Sequence, residues 1–329
     1  MVAMDSGADN GFFYAGQVMH FSSPFTVFLI YHKHCGGYSM FTKKYEIIAD
    51  APAAVSWDKY AKCSYMEYQE LLQNHGDDEY VFQKFFERNP SFMPGAFELF
   101  GTSGHYPFTH SLITQPQLNG GLFTRIPDFI WLAQDSLFFT PVLIEIERPN
   151  KKTFTAAGNQ SADFSQALGQ IAEWSAMLKV PENILQFYKC FDIPDRIRKK
   201  TFAPQYGLIY GRRSEFEGNE FLTQKRAHLV PDNVKLISFD RLHPDPKGHD
   251  LLCTSLSHGK YTVKTVPPTY RYSPATADNL SVVSGFDIAI PKMEMTSPER
   301  QRFMISRYEY WKEYGMLEQQ GIHCPSDME

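Results

Sequence analysis

Three carboxylates, Asp128, Glu145 and Glu147, fall within the stretch 127–147, which opens on Pro127-Asp128-Phe129 and ends on Leu143-Ile144-Glu145-Ile146-Glu147. The pattern predicts a hairpin with strands at 122–133 and 137–148, turning at Gln134-Asp135-Ser136. In its second strand Val142, Ile144 and Ile146 alternate with Leu143, Glu145 and Glu147, so both glutamates project from one face. Acids set into an otherwise apolar strand, near one end of a two-stranded unit, can together hold a divalent cation against a phosphodiester. Such hydrolysis needs a metal to polarise the phosphate, stabilise the leaving oxygen and activate a water. Mg²⁺ prefers oxygen ligands and keeps several waters, so two or three carboxylates suffice. Asp128 and Glu145 are the expected ligands of Mg²⁺ or Mn²⁺, with the backbone carbonyl of Ile146 facing the same ion. The plain alternative is a pair of glutamates on a solvated strand face.

Other side chains gather around this stretch in sequence. A helix predicted at about 161–179 follows the acidic strand and carries Gln166 and Gln170 one turn apart. A glutamine there orients a water or holds a phosphate; otherwise it is an exposed helix polar. Glu79, at the start of an earlier helix, is either a further site acid or a helix-dipole residue. Arg148, Lys151 and Lys152 lie just beyond the acids, Arg196, Arg198, Lys199 and Lys200 fill a loop, and Arg212 and Arg213 end a strand. Such clusters are usually solvated, but at strand ends they also suit contacts to a nucleic-acid backbone.

Competing chemistries find little support. The chain has no Gly-x-x-x-x-Gly-Lys-Ser/Thr loop, no Gly-x-Ser-x-Gly elbow and no His-Glu-x-x-His helix. His32-x-His34-Cys35 is a conceivable metal group, though polar turn residues explain it as well. The five cysteines form no Cys-x-x-Cys pair, which points to free thiols in a reducing compartment. A formal net charge of −5 gives no global attraction to nucleic acid. The longest apolar run, Phe25 to Tyr31, is too short to span a bilayer, and the N-terminus lacks a basic signal region. A cytoplasmic protein without membrane contact is expected.

The elements that must position these residues read as follows. Residues 1–70 are expected to form a small β-rich module of unknown role, with strands at 12–14, 26–31 and 38–41 followed by a helical pattern at 57–74. Asp77-Asp78 caps a helix over 79–88 whose Phe82, Phe85 and Phe86 share a buried face, and Asn89-Pro90 stops it. A strand is expected at 111–115. After the hairpin and its helix come strands at 206–210 and 234–239 and a helix near 216–228. This order of helix, strands, hairpin, helix, strand, helix, strand gives an α/β fold, a mixed sheet flanked by helices. Residues 246–329 form an extension, turn-rich to about 295. There Thr296-x-x-Glu299 predicts a capping box for a helix over 297–315, and the tail after 320 reads as loose.

The stretch 76–245 resembles the nuclease domain of the Shedu family of bacterial anti-phage defence proteins. The likeness rests on Glu79…Phe82-Gln83-x-Phe85-Phe86-x-x-Asn89-Pro90, Ile126-Pro-Asp-Phe129, Leu143-Ile-Glu-Ile-Glu-Arg-Pro149, Gln166-x-x-x-Gln170, Leu208-Ile-Tyr-Gly-Arg212 and Lys235-Leu-Ile-Ser-Phe-Asp240. The resemblance implies a restriction-endonuclease-like, PD-(D/E)xK core, divalent-metal cleavage of DNA, a homo-oligomer built by this domain, and an N-terminal region that senses a phage-derived trigger. The family carries Glu-x-Lys where this chain has Glu145-Ile146-Glu147. Either Glu147 acts as an extra ligand or base, or the lysine's role has moved to Lys151 or Lys152. A catalytically inactive module that keeps the fold and binds nucleic acid or a phage protein is the alternative.

Overall fold

The computed structural model describes residues 33–34, 37–38, 42–97, 105–120 and 123–329. The strands expected at 12–14 and 26–31, residues 39–41, and His32 and Cys35 lie outside these. Two small antiparallel pairs stand apart from the main sheet: β1 (Lys33–His34) with β2 (Gly37–Tyr38), and β4 (Leu118–Gly120) with β5 (Phe123–Arg125).

A mixed nine-stranded sheet carries the rest. Its strands are β3 (Ser111–Thr114), β6 (Phe129–Gln134), β7 (Phe138–Ile146), β8 (Thr201–Phe202), β9 (Gln205–Ile209), β10 (Val234–Ile237), β11 (Leu252–Ser257), β12 (Lys260–Thr265) and β13 (Val283–Ser284). They run in the order β10-β9-β7-β6-β3-β11-β12-β13, with β8 beside the start of β7. β6 and β7 are the antiparallel hairpin, Phe129 facing Ile144. Asp135 fixes its turn by accepting the amides of Leu137 (2.7 Å) and Phe138 (2.6 Å). β9 then lies parallel to β7, so the acidic strand is central and both its faces are covered.

Helices α1 (Trp57–Asn74) and α2 (Glu79–Arg88) pack on one face. Tyr68, Phe82, Phe85 and Phe86 meet Phe129, Trp131, Val142, Ile144 and Ile146 there. Asp78 caps α2 by accepting the amides of Tyr80 and Val81. α3 (Ala162–Met177), capped by Ser161, covers the other face, where Phe164, Ala167, Ile171 and Trp174 bury against Ile130, Leu143 and Leu208. The period-2 alternation of β7 thus divides two cores, each large aromatic contributing about 1.5–3 kcal/mol of burial.

Four sequence expectations change. Residues 181–200 are not simply a basic loop: Pro181 opens α4 (Pro181–Cys190), and α5 (Asp195–Arg198) follows. Proline suits a first helical turn, where its missing N–H costs nothing. After α6 (Glu220–Ala227), the stretch read as turn-rich supplies β11, β12, α7 (Pro274–Val282), β13 and α8 (Phe286–Ala289), extending the sheet beyond β3. Finally α9 (Pro298–Gly315) is capped by Ser297, which accepts the Arg300 amide, and not by Thr296. The tail is not loose either: Glu329 bridges Tyr272, and its carboxylate accepts from Arg307, Trp311 and the Ile48 amide. No helix among the described residues is long and apolar enough to cross a membrane.

Candidate active site

The hairpin register, carried one step past Phe129–Ile144, puts Asp128 beside Glu145 at the end of the sheet. Phe129 and Ile144 face the α2 side, so their neighbours Asp128 and Glu145 belong to the α3 side. Asp128 accepts the amide of Ile146 at 2.8 Å through Oδ2. Glu147 continues the strand by donating its amide to the Ile209 carbonyl (3.0 Å), which returns its side chain to the face of Glu145. Glu79, in the first turn of α2, lies near enough to the same group for the charge of Glu147 to act on it.

These carboxylates sit close enough to perturb one another. Glu145 is 8% exposed, and its Oε2 is buried with no hydrogen-bond partner. Burial, then the charges of Asp128, Glu147 and Glu79, push it far above the usual carboxylate range, while a hydrogen bond from Gln170 pulls the other way. Burial also raises Asp128, against the opposing pull of the Ile146 amide. Glu79 rises for the same first reason, and Glu147 adds to it. Such an acid group is held at high electrostatic cost, which a cation beside it would lower. The oxygen-only donor set and the orphaned Oε2 fit a hard divalent ion. Among the described residues no three Asp, Glu, His or Cys side chains form a set able to hold a metal on their own.

The other sequence candidates divide. Gln170 reaches Glu145, whereas Gln166 is exposed one turn away on α3. Lys151 donates to Glu147 in a partly buried ion pair. Arg148 and Lys152 are exposed, and Arg148 is close enough to oppose the rise of Glu79. Arg212 is tied to Asp240 (2.7 Å) and the Leu72 carbonyl, while the Arg213 side chain is exposed.

Sequence reasoning missed what fixes the loop after Glu147. Asn150 donates its amide to the Gly76 carbonyl (2.9 Å) and its side-chain NH₂ to Asp77 (2.9 Å). Glu215 accepts the amides of Thr153 (3.0 Å) and Phe154 (2.9 Å). Gly211, at φ +66°, leaves room for the Lys151 carbonyl, which a Cβ there would approach to 3.0 Å. The available signal was Gly76, legible only as the end of a helix: a Cβ on it would lie 2.6 Å from Asn150 Oδ1. Gly76→Ala is therefore expected to evict the Asn150 side chain, loosen this loop and slow any reaction at the site about tenfold. Its thermal midpoint should barely move; parallel rate and melting measurements check both.

Comparison with known proteins adds one finding. The chain matches the family described as Shedu protein SduA, C-terminal, over residues 76–243, just over half its length. No curated protein and no solved structure matches it. The matched segment runs from the glycine that clamps the loop, through all four carboxylates, to the strand beyond β9, and on that evidence the chain belongs to the Shedu SduA C-terminal family.

Proposed function

We propose that the protein is a metal-dependent DNA endonuclease of bacterial anti-phage defence, built on a restriction-endonuclease-like core. The observation that carries this reading is the buried, unpartnered Oε2 of Glu145 opposite Asp128 in a pocket of acids. Asp128, Glu145 and the Ile146 carbonyl would hold Mg²⁺ or Mn²⁺. When bound, the ion supplies polarisation of the phosphate and an activated water. Gln170, on the helix beside Glu145, would orient the attacking water. The water's oxygen forms a bond to phosphorus as the bond to one sugar oxygen breaks. The proton it loses passes to the Glu79–Glu147 pair, and the departing oxygen takes one up. Arg148, Lys152 and Arg213 lie free to contact the DNA backbone. We further infer a cytoplasmic homo-oligomer released by a phage-derived trigger.

The test is nicking of supercoiled DNA in Mg²⁺ and in Mn²⁺, against EDTA. Asp128→Ala should lower the rate about 10³-fold with the fold retained. Undiminished cleavage by Asp128→Ala overturns the site. The want of a three-ligand set among the described residues favours one second reading, an inactive nuclease-fold module. It predicts salt-sensitive DNA binding without hydrolysis in either metal.

A further inference from the structure

We propose that the cavity walled by α1, the end of α2, β12 and the turn between α8 and α9 binds an aromatic phosphomonoester of single-nucleotide size. It lies at the far end of α2 from the acid pocket: Glu79 opens that helix and Arg88 closes it, roughly 14 Å further along its axis. The cavity holds about 390 Å³. Of its lining only Arg88 and Asn89 fall inside the family match, and the rest comes from α1 and from residues 264–295. The site is therefore made where this chain's flanks close on the matched segment.

The charges on the lining call for an anion. Five charged side chains line the cavity: Glu67, Arg88, Lys264, Lys292 and Glu294. Arg88 pairs with both carboxylates, Glu67 on α1 and Glu294 (3.2 Å) ahead of α9, and so occupies the negative charge. Lys292 is exposed, with no hydrogen bond or ion pair among the described residues. Lys264 has one contact, 3.4 Å from Glu87, a carboxylate already held by Lys84 at 2.7 Å and by Thr114 at 2.8 Å. Two ammoniums are left with open donors. A carboxylate would balance one of them. A phosphomonoester, carrying about −1.5 to −2 at neutral pH, balances both.

The uncharged lining sets the body of the ligand. Tyr60, Val266, Ala289 and Met293 line the cavity yet are buried, which makes an apolar floor. Met295 adds a second thioether, and thioethers pack well against ring edges, so this floor suits a flat aromatic group. The volume lies near the low end of the range of small-molecule sites, about 300–1,000 Å³, which admits one nucleotide-sized molecule and excludes a polymer. The walls are braced without a ligand. Tyr60 donates to Asn89 Oδ1 (3.0 Å), the Val55 amide to the Pro268 carbonyl (3.0 Å) and Gln301 to the Met293 carbonyl (3.1 Å). Met295 is held at φ +60°, a conformation that costs a non-glycine residue and persists only where its surroundings impose it. A cavity fixed in this way loses little freedom on binding. Cys63 supplies a reporter, since its thiol is exposed and lines the same space.

The experiment uses the full chain in EDTA, which keeps phosphates off any metal in the acid pocket. Calorimetric titration measures binding, and iodoacetamide alkylation of Cys63, read by peptide mass spectrometry, locates it. Phenyl phosphate or deoxyadenosine monophosphate should bind with a Kd below about 1 mM. At ten times that Kd the bound compound should slow Cys63 alkylation about tenfold. Deoxyadenosine and inorganic phosphate each lack half of the recognised group and should bind at least about tenfold more weakly. Lys264→Gln combined with Lys292→Gln should weaken the aromatic phosphates at least about tenfold and leave the unliganded melting temperature unchanged, because both side chains are exposed. Tighter binding of the nucleotide assigns the site to nucleotides, tighter binding of phenyl phosphate assigns it to other aryl phosphates, and either result supports it. Failure of both to protect Cys63, equal binding of deoxyadenosine or inorganic phosphate, or undiminished binding by the double variant overturns it. None of these readings depends on whether the protein cleaves DNA.

Discussion

Glu145→Gln should abolish DNA cleavage, by about 10³-fold, and at the same time raise the melting temperature of the metal-free protein near pH 8. The two effects share one cause. Glu145 is 8% exposed, one of its oxygens has no partner, and burial and the facing acids raise its pKa. A carboxyl whose folded pKa lies above its unfolded value favours folding while protonated. That contribution is complete below the ordinary carboxylate pKa, about 4.3, and is lost as pH rises through the neutral range toward the raised folded value. Asp128 shifts in the same direction and adds to the slope. In EDTA the unmodified protein should therefore melt progressively lower from about pH 5 to about pH 9. Glutamine keeps the shape, removes the charge and donates to a neighbouring acid, which relieves on the order of 1–3 kcal/mol of unmet desolvation. Its curve should be flatter and should lie above that of the unmodified chain at the alkaline end. Mg²⁺ reverses the ranking, because a ligand at a hundred times its Kd adds about 2.7 kcal/mol to the form that binds it. Calorimetric scans across pH, with and without Mg²⁺, read all of this. A variant that melts below the unmodified protein in EDTA near pH 8 would show that the buried carboxylate is not under strain.

The parts of this arrangement that were legible in the sequence are those written in local periodicity and capping. α2 begins where Asp78 can cap it and ends at Asn89-Pro90. β6 and β7 turn at Asp135, and the alternation of Leu143, Glu145 and Glu147 with Val142, Ile144 and Ile146 correctly sorted the two faces. The less legible parts depend on the path of the chain in space. Gln166 and Gln170 have identical sequence credentials, and only the rotation of α3 against the sheet sends Gln170 to Glu145 and leaves Gln166 in solvent. β11, Leu-Cys-Thr-Ser-Leu-Ser, is weakly apolar and takes its place by pairing with β3, far back along the chain. Pro181 reads equally well as a stop or a start, and tertiary packing of Phe187 and Tyr188 decides for a start. Lys151 sits in a loop without periodicity, so its contact with Glu147 follows from the Gly76–Asn150 clamp and not from any pattern.

The tail misread as loose leads to the largest expected loss of stability. Arg300 on α9 is 1% exposed and donates to the carbonyls of Pro52 (2.9 Å), Tyr270 (3.0 Å) and Glu329 (2.9 Å). It thereby joins the segment before α1, the approach to α7 and the last residues to one helix. Around it, Glu329 and Tyr272 exchange backbone hydrogen bonds of 2.8 and 3.1 Å. The Glu329 carboxylate accepts from Arg307 (2.7 and 2.8 Å), Trp311 (2.8 Å) and the Ile48 amide (2.7 Å). Arg300→Met fills similar volume but leaves the Pro52 and Tyr270 carbonyls without this donor, and it removes the guanidinium that donates to the Glu329 carbonyl. Breaking such a buried, charge-assisted set typically costs about 3–5 kcal/mol. Arg300→Lys retains the charge but not the planar fork that reaches three carbonyls, so its loss should be intermediate. Urea unfolding should show a lower midpoint at an unchanged slope, the mark of lost stability without a change in compactness. Because the partners of Arg300, namely Pro52, Tyr270 and Glu329, include none of the proposed site residues, folded Arg300→Met should cleave DNA at the rate of the unmodified chain. A destabilisation under about 1 kcal/mol, within the range of ordinary surface substitutions, would mean that the tail is held by Arg307 and Trp311 alone.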